Sequence, residues 1–451
     1  MSALQSLKQT SKTTLTNREY LTIAIPLIIS TLTTPLLGAV DTAVVGHLPD
    51  PVFIGGVAIG SLIFSQLYWV LGFLRVSTSG FTAQAKGANN ASELFFSFMR
   101  PLIIAAVLGV LFVLFQTPIK FVAFTIFQGS EGVLTQATNY FDIRIWGAPF
   151  ALINYVILGW LVGSANIRLA VFLQIGMNVV NIFLDVLFVF YFDFGVKGVA
   201  FASLIAETGA VFIGFILLWK LRYFSSVTSS LSHLVEKSMF IRMIKVNRDL
   251  FIRTICLLTV YTMFTAKGAK MGEVELAANA ILFQIHFIFA YFLGGFSNAS
   301  SIFIGRAVGG KREDLFKEAV KMSVKWGAIA AIVASIVLFL TSQWVFPLFT
   351  SIEEVLMVSD KYIIWLLLFP LVSFWGLQLY GIFSGATEGA PIRDSIILAL
   401  IVFLLTYYIF IPTLGNHGLW LAFTLFSLGR TLFLWPYFGS LKKKLFKNEV
   451  S

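Results

Sequence analysis

The chain has 451 residues, 58% of them hydrophobic and 12% charged, with a formal net charge of +10. A soluble domain carries about a quarter charged residues, so a mean hydropathy of +0.88 excludes a water-soluble protein and indicates a polytopic membrane protein. The excess of Lys and Arg does not indicate nucleic-acid binding, because the basic residues lie between hydrophobic runs and report topology.

Runs long enough to cross a hydrocarbon core of about 30 Å are predicted at 20–48, 53–84, 96–119, 133–157, 168–191, 196–221, 247–270, 276–305, 318–341, 355–384, 393–413 and 417–440. The expected fold is an all-α integral membrane protein with twelve transmembrane helices. Most basic residues, including Arg18, Lys86, Lys220, Lys237, Arg248, Arg306, Lys311, Arg393 and Lys442 to Lys444, fall on one set of flanks, and Lys120, Lys197, Lys267, Lys270 and Lys361 fall on the other. The preference for Lys and Arg on cytoplasmic flanks places both termini in the cytoplasm of a multi-pass cell-membrane protein. The polar start MSALQSLKQTSKTTLTNRE precedes a full-length span, so no cleavable signal is expected. Cys256, the single cysteine, has no disulfide partner in the chain.

One long polar connection lies near the middle. It divides the chain into an N lobe of 1–222, a cytoplasmic linker of 223–246 and a C lobe of 247–451. Shifting the second half by 223 positions aligns Phe64 with Phe287, Tyr68 with Tyr291, Gly72 with Gly295, Ser77 with Ser300 and Gly87 with Gly310, and GVKGVAFA from Gly195 resembles GNHGLWLA from Gly415. Two six-helix lobes are therefore expected, related by an axis along the membrane normal, with substrate bound between them. The glycines at 72, 87, 295 and 310 are assigned to close helix packing.

The halves differ in their polar residues. Asp41, in PLLGAVDTAVVGHL, aligns with Phe264 and has no acidic twin. The fifth span carries Gln174, Asn178, Asn181 and Asp185, whose spacing puts all four within roughly 60° of arc. Ser30, Thr34 and Asp41 form a similar stripe on the first span. Asp41 and Asp185 each lie about 9 Å from the outer ends of their helices at 1.5 Å rise per residue. An acid at such depth is costly and marks a functional site, so Asp41 and Asp185 are assigned proton or cation coupling, with Asn178 and Asn181 as hydrogen-bonding neighbours. Thr34, Gln174, Asn154 and Glu207 are candidates for the substrate cavity. Arg75, Arg253 and Arg430 are either counter-charges for Glu207 or snorkelling cations, and are left unassigned. Pro26 and Pro35 permit kinks in the first helix. His286 is read as a packed polar residue. No HExxH, P-loop or DDxxD motif occurs, so no enzymatic activity, metal or cofactor is expected.

These segments, with GFTAQAKGANN, SSIFIGRAVGGKRED and MNVVNIFLDVLFV, resemble the multidrug and toxic compound extrusion (MATE) family, and within it the DinF-type branch. The resemblance implies a V-shaped two-lobed transporter that exports organic cations or amphipathic drugs in exchange for protons or sodium. It implies coupling roles for the positions of Asp41, Asn181 and Asp185, and a bend of the first helix near Pro26. Sodium-coupled members carry carboxylates in the seventh and tenth helices, where LFIRTICLLTVYTMFTAKGAK and YIIWLLLFPLVSFWGLQLYG have none. That favours proton coupling in the N lobe, with sodium antiport as the alternative and a lipid or oligosaccharide flippase as the rival within the superfamily. A monomer in the lipid bilayer, acting on small amphipathic or cationic drugs, is expected.

Overall fold

The computed structural model describes residues 15–45, 51–127, 129–221 and 236–446; the side chains of 34–43, 45 and 51 lie outside the described residues. The helices of the first half are α1 (Asn17–Val45), α2 (Pro51–Leu71), α3 (Phe73–Gly87), α4 (Ala91–Leu114), α5 (Gln116–Ile126), α6 (Glu131–Arg144), α7 (Ala148–Gly163), α8 (Ile167–Val186) and α9 (Gly195–Lys220). Those of the second half are α10 (Lys237–Ala269), α11 (Glu273–Gly309), α12 (Glu313–Val345), α13 (Glu353–Gly385), α14 (Gly389–Leu414) and α15 (Asn416–Phe446). Among the described residues, 11 helical stretches are long and apolar enough to cross a membrane, and α1, at 29 residues, occupies the first predicted span.

Within the described residues every predicted apolar run is helical, but the runs at 53–84, 96–119 and 133–157 are each divided between two helices, and helix and apolar run do not end together. α10 begins at Lys237, ten residues before the run at 247, because KSMFIRMIKVNR is a good helix sequence that is simply too basic for lipid. α1 continues unbroken through Pro26, as prolines in membrane helices can when neighbouring helices and side chains satisfy the freed carbonyls. The second span is interrupted at Gly72, which donates its N–H to the Trp69 carbonyl. Gly72 is therefore a helix break and not a packing glycine.

The internal repeat is written most plainly in the turns. α3 ends with Asn89 at φ 51° and α11 with Lys311 at φ 51°; α7 ends with Ala165 at φ 66° and α13 with Thr387 at φ 55°. Each turn closes with the same bond: Asn90 N to Ala85 O, Arg312 N to Ala307 O, Asn166 N to Leu161 O and Glu388 N to Phe383 O. This is the closing pattern of a Schellman-type cap. Both pairs of turns lie 222 residues apart, as do the tight helix contacts: Gly163 packs on the Ser79 carbonyl and Gly385 on that of Ser301. The repeat register is therefore 222 here, and Gly87 corresponds to Gly309, not Gly310. A slip of one residue turns a position about 100° around its helix, and runs rich in Phe and Gly match nearly as well in either register.

Helices α1–α9 and α10–α15 form two lobes, held internally by α3 on α7, α8 on α9, α11 on α13 and α14 on α15. The lobes meet on the face that carries the chain ends. There a Cβ on Gly87 would collide with the Arg306 backbone, and one on Gly309 with that of Gln84. Gln84 Nε2 donates to the Gly385 carbonyl at 3.0 Å and to Thr387 Oγ1 at 3.1 Å. The Tyr20 hydroxyl of α1 lies 2.8 Å from Ser300 Oγ and 3.1 Å from the Phe296 carbonyl. Higher up, Thr31 Oγ1 donates to the Tyr291 carbonyl at 3.2 Å, and Trp69 stacks on Tyr261 with ring centroids 5.6 Å apart.

Candidate functional site

α8 turns its polar stripe inward. Gln174, Asn178, Asn181 and Asp185 are all buried, Asp185 completely, and α8 packs against both α1 and α9. The 3.6-residue period places the four side chains on this covered face and Phe172, Val179 and Phe183 on the exposed one. Gln174 Nε2 donates to Asn178 Oδ1 at 3.5 Å, and Asn181 Nδ2 to Ser203 Oγ of α9 at 3.2 Å. The Asn178 amide nitrogen and the Asn181 amide oxygen have no partner. They leave one donor and one acceptor open beside Asp185, in a site where unmet polar groups are expensive.

Immediately after Asp185 the helix loosens into a π-turn over Leu187–Tyr191. The repeat offset falls from 222 at Ala165 and Thr387 to 220 at Gly195 and Gly415, both at positive φ. The N lobe thus carries two extra residues in this stretch, and a wide turn of this kind accommodates them; such turns recur at functional sites. In the register of 222 the stripe maps onto Ile396, Leu400, Phe403 and Tyr407 of α14. Ile396 and Phe403 sit in the apolar core of the C lobe. At these four positions the carboxylate and amides belong to the N lobe alone.

α1 runs alongside α8. Thr34, Pro35 and Asp41 lie on it, but their side chains are outside the described residues. In either register the C-lobe counterpart of Asp41, Met263 or Phe264, is not an acid.

Glu207 belongs to a different constellation. Arg144, the last residue of α6, reaches it through both guanidinium arms, at 2.7 Å and 2.5 Å. The same guanidinium donates to Tyr68 Oη at 3.3 Å and lies over the rings of Phe64 and Tyr68 at 5.5 Å and 5.2 Å. A bidentate Arg–carboxylate pair fixes geometry and neutralises both charges, so Glu207 does not add free negative charge to a cavity. Arg75, Arg253 and Arg430 are not its counter-charge. Asn154, buried, donates to the Glu207 backbone carbonyl at 2.9 Å; it braces α7 against α9.

His286 is enclosed by Phe283, Phe287, Phe369 and Phe423, with the Phe369 centroid 4.0 Å away. It is a packed histidine. Sequence reasoning missed the Asn279–Asn416 pair, which exchanges two amide hydrogen bonds of 3.0 Å and accepts Trp420 Nε1 at 2.9 Å. An Asn in each of two spans was the only available signal.

The MatE family model matches the chain twice, over residues 26–187 and 250–411. The chain is 38% identical to DNA damage-inducible protein F of Escherichia coli over 412 residues, covering 91% of this chain and 90% of that one. Among solved structures it is similar to a MOP superfamily transporter from Pyrococcus furiosus, with a TM-score of 0.85 at 20% identity over 97% of this chain and 100% of that one. It is also similar to a multidrug resistance MATE family transporter in an outward-facing conformation, with a TM-score of 0.83 at 20% identity over 97% of this chain and 100% of that one. With one family model fitting both halves and an E. coli relative aligned along nearly the whole length, the chain belongs to the MatE family, the multidrug and toxic compound extrusion transporters.

Proposed function

We propose that this transporter exports amphipathic drugs, organic cations among them, in exchange for protons, and that the coupling site is the polar stripe of α8 facing α1. The observation that carries the reading is the complete burial of Asp185 beside half-satisfied Asn178 and Asn181, in a lobe whose partner has Ile396, Leu400, Phe403 and Tyr407 at the same places, with no carboxylate or amide among them. A carboxylate taken out of water is costly unless a proton or a cation meets its charge. A bound proton and a cationic substrate then compete for the same negative charge. Asp41, on the helix packed against α8, is assigned to the same site from its sequence.

The face carrying the chain ends is taken as cytoplasmic, from its Lys and Arg, and the lobes are joined there. In this arrangement the open side is external, so protons enter and substrate leaves by the route that α1 and α8 border. The assignment to protons over sodium rests on the absence of carboxylates from residues 362–381 of α13 and from the stretch of α10 after Asp249.

The test is transport into vesicles under a pH gradient with Asp185→Asn and Asp41→Asn. Each variant is expected to lose at least tenfold of gradient-driven drug transport while remaining folded. Full pH-driven transport in both would sink the proposal, and transport that followed a sodium gradient at fixed pH would transfer it to the sodium reading.

A further inference from the structure

Two arginines, Arg253 and Arg430, stand inside C-lobe spans. Within the apolar runs, Arg253 lies six residues in from the start of 247–270 and Arg430 ten residues in from the end of 417–440, about 9 Å and about 15 Å inside at 1.5 Å per residue. Both are half-buried. Arg253 sits over the Tyr380 ring at 4.0 Å and Arg430 over Phe426 at 5.9 Å. α10 packs against α15, Arg253 standing sixteen residues from Lys237 and Arg430 sixteen from Phe446, and Tyr261 of α10 meets Phe423 of α15 with ring centroids 6.0 Å apart. Because Tyr261 stacks on Trp69 of the N lobe, the pair stands at the boundary between the lobes.

The nearby acids are taken. Asp249, one turn from Arg253, holds Arg393 at 2.9 Å and Arg248 at 2.8 Å. Glu207 is held by Arg144. Gly195, Gly198 and Gly209 of α9 correspond to Gly415, Gly418 and Gly429 of α15, which puts Ser427 where Glu207 stands in the N lobe. Among the described residues no carboxylate pairs with Arg253 or Arg430. His286, which also feels Arg430, is 1% exposed with neither ring nitrogen hydrogen-bonded.

Cations inside a membrane protein are costly and are retained where they act on something. Aromatic faces orient a guanidinium but bring it no opposite charge. We propose that Arg253 and Arg430 form a subsite for the acidic group, carboxylate or phosphate, of an amphipathic substrate whose apolar body rests on Trp69, Tyr261 and Tyr380. Guanidinium forks suit such groups better than ammonium does. The proposal deepens the export reading, since it takes the space between the lobes as the substrate path. It adds to that reading a polarity opposite to the α8 site: acid in one lobe, base in the other.

The test uses the full chain and two fluorescent probes with one apolar body, pyrenebutyrate and the cationic pyrenebutyltrimethylammonium. Binding is read from pyrene emission in detergent with no gradient, so it does not depend on coupling. Pyrenebutyrate is expected to bind saturably and at least tenfold more weakly to Arg253→Gln/Arg430→Gln, while the cationic probe binds that variant more tightly than it binds the wild type. The double Arg→Lys variant, which keeps the charge if the Gln variant does not fold, is expected to retain saturable pyrenebutyrate binding. Equal pyrenebutyrate binding by wild type and the Gln variant, or no saturable binding by wild type, overturns the proposal. Vesicles with and without phosphatidylglycerol separate the sources: competition by that lipid identifies a lipid headgroup as occupant, and its absence identifies a free amphipathic acid. If binding stands but export of both probes ignores a proton gradient, the coupling reading fails and this site survives.

Discussion

Arg144 crosses from the end of α6 to hold Glu207 of α9 with both arms of its guanidinium, and the two side chains are only 8% and 14% exposed. Removing one partner leaves the other charge stranded. Arg144→Met is expected to destabilise the N lobe by about 3–5 kcal/mol, read as a lowered melting temperature in detergent. Arg144→Met/Glu207→Leu is expected to recover most of that loss. A double variant no more stable than the single one would mean that the pair is not what holds α6 to α9.

Tyr20 fastens α1 to the C lobe through the Ser300 hydroxyl and the Phe296 carbonyl. Tyr20→Phe keeps the ring and its stacking on Phe303, 5.8 Å away, and loses only the hydroxyl, worth about 0.5–1.5 kcal/mol. Since the bond exists only while the lobes are joined on that face, the variant shifts the population toward opening there. Spin labels at Ala91 and Lys317, in a Cys256→Ala background, are expected to report a larger long-distance fraction. An unchanged distance distribution would remove Tyr20 from the closing contacts.

Gly87 lies against the Arg306 backbone with no room for a Cβ. Gly87→Val is expected to open the same face more than Tyr20→Phe does and to reduce transport severalfold, because a backbone cannot move aside as a flexible side chain can. The same pair of spin labels measures it.

Ala165 holds φ 66° in the turn between α7 and α8, a conformation that costs an L-residue about 1–2 kcal/mol. Ala165→Gly is expected to stabilise the protein by up to about 1 kcal/mol, the unfolded chain's gain in freedom offsetting the rest. A fall in melting temperature would show that the alanine methyl contributes more by packing than the backbone loses by strain.

The spans and the α8 stripe were legible in the sequence because each rests on a period: length of apolar run for the first, 3.6 residues for the second. Gln174, Asn178, Asn181 and Asp185 lie on one buried face for that reason. Arg144 was not legible. It is a single charge in NYFDIRIWGAPF, and its partner lies 63 residues away, a pairing that no local pattern encodes. Arg75, Arg253 and Arg430 stay unassigned in the sequence because sign alone says nothing about distance. The repeat was visible, but its register was settled by left-handed turns at Asn89, Lys311, Ala165 and Thr387, where neither residue type nor hydropathy announces the backbone.

The contacts of Gly87 with Arg306 and of Gly309 with Gln84 are one contact made twice, since both residue pairs exchange under the repeat. In symmetry terms the closed face is isologous, each lobe offering the same patch to the other, as in a two-fold dimer. The two glycine contacts therefore break together when this face opens, whereas the Tyr20–Ser300 bond has no twin, since Thr78 Oγ1, the counterpart of the Ser300 hydroxyl, has no hydrogen-bond partner.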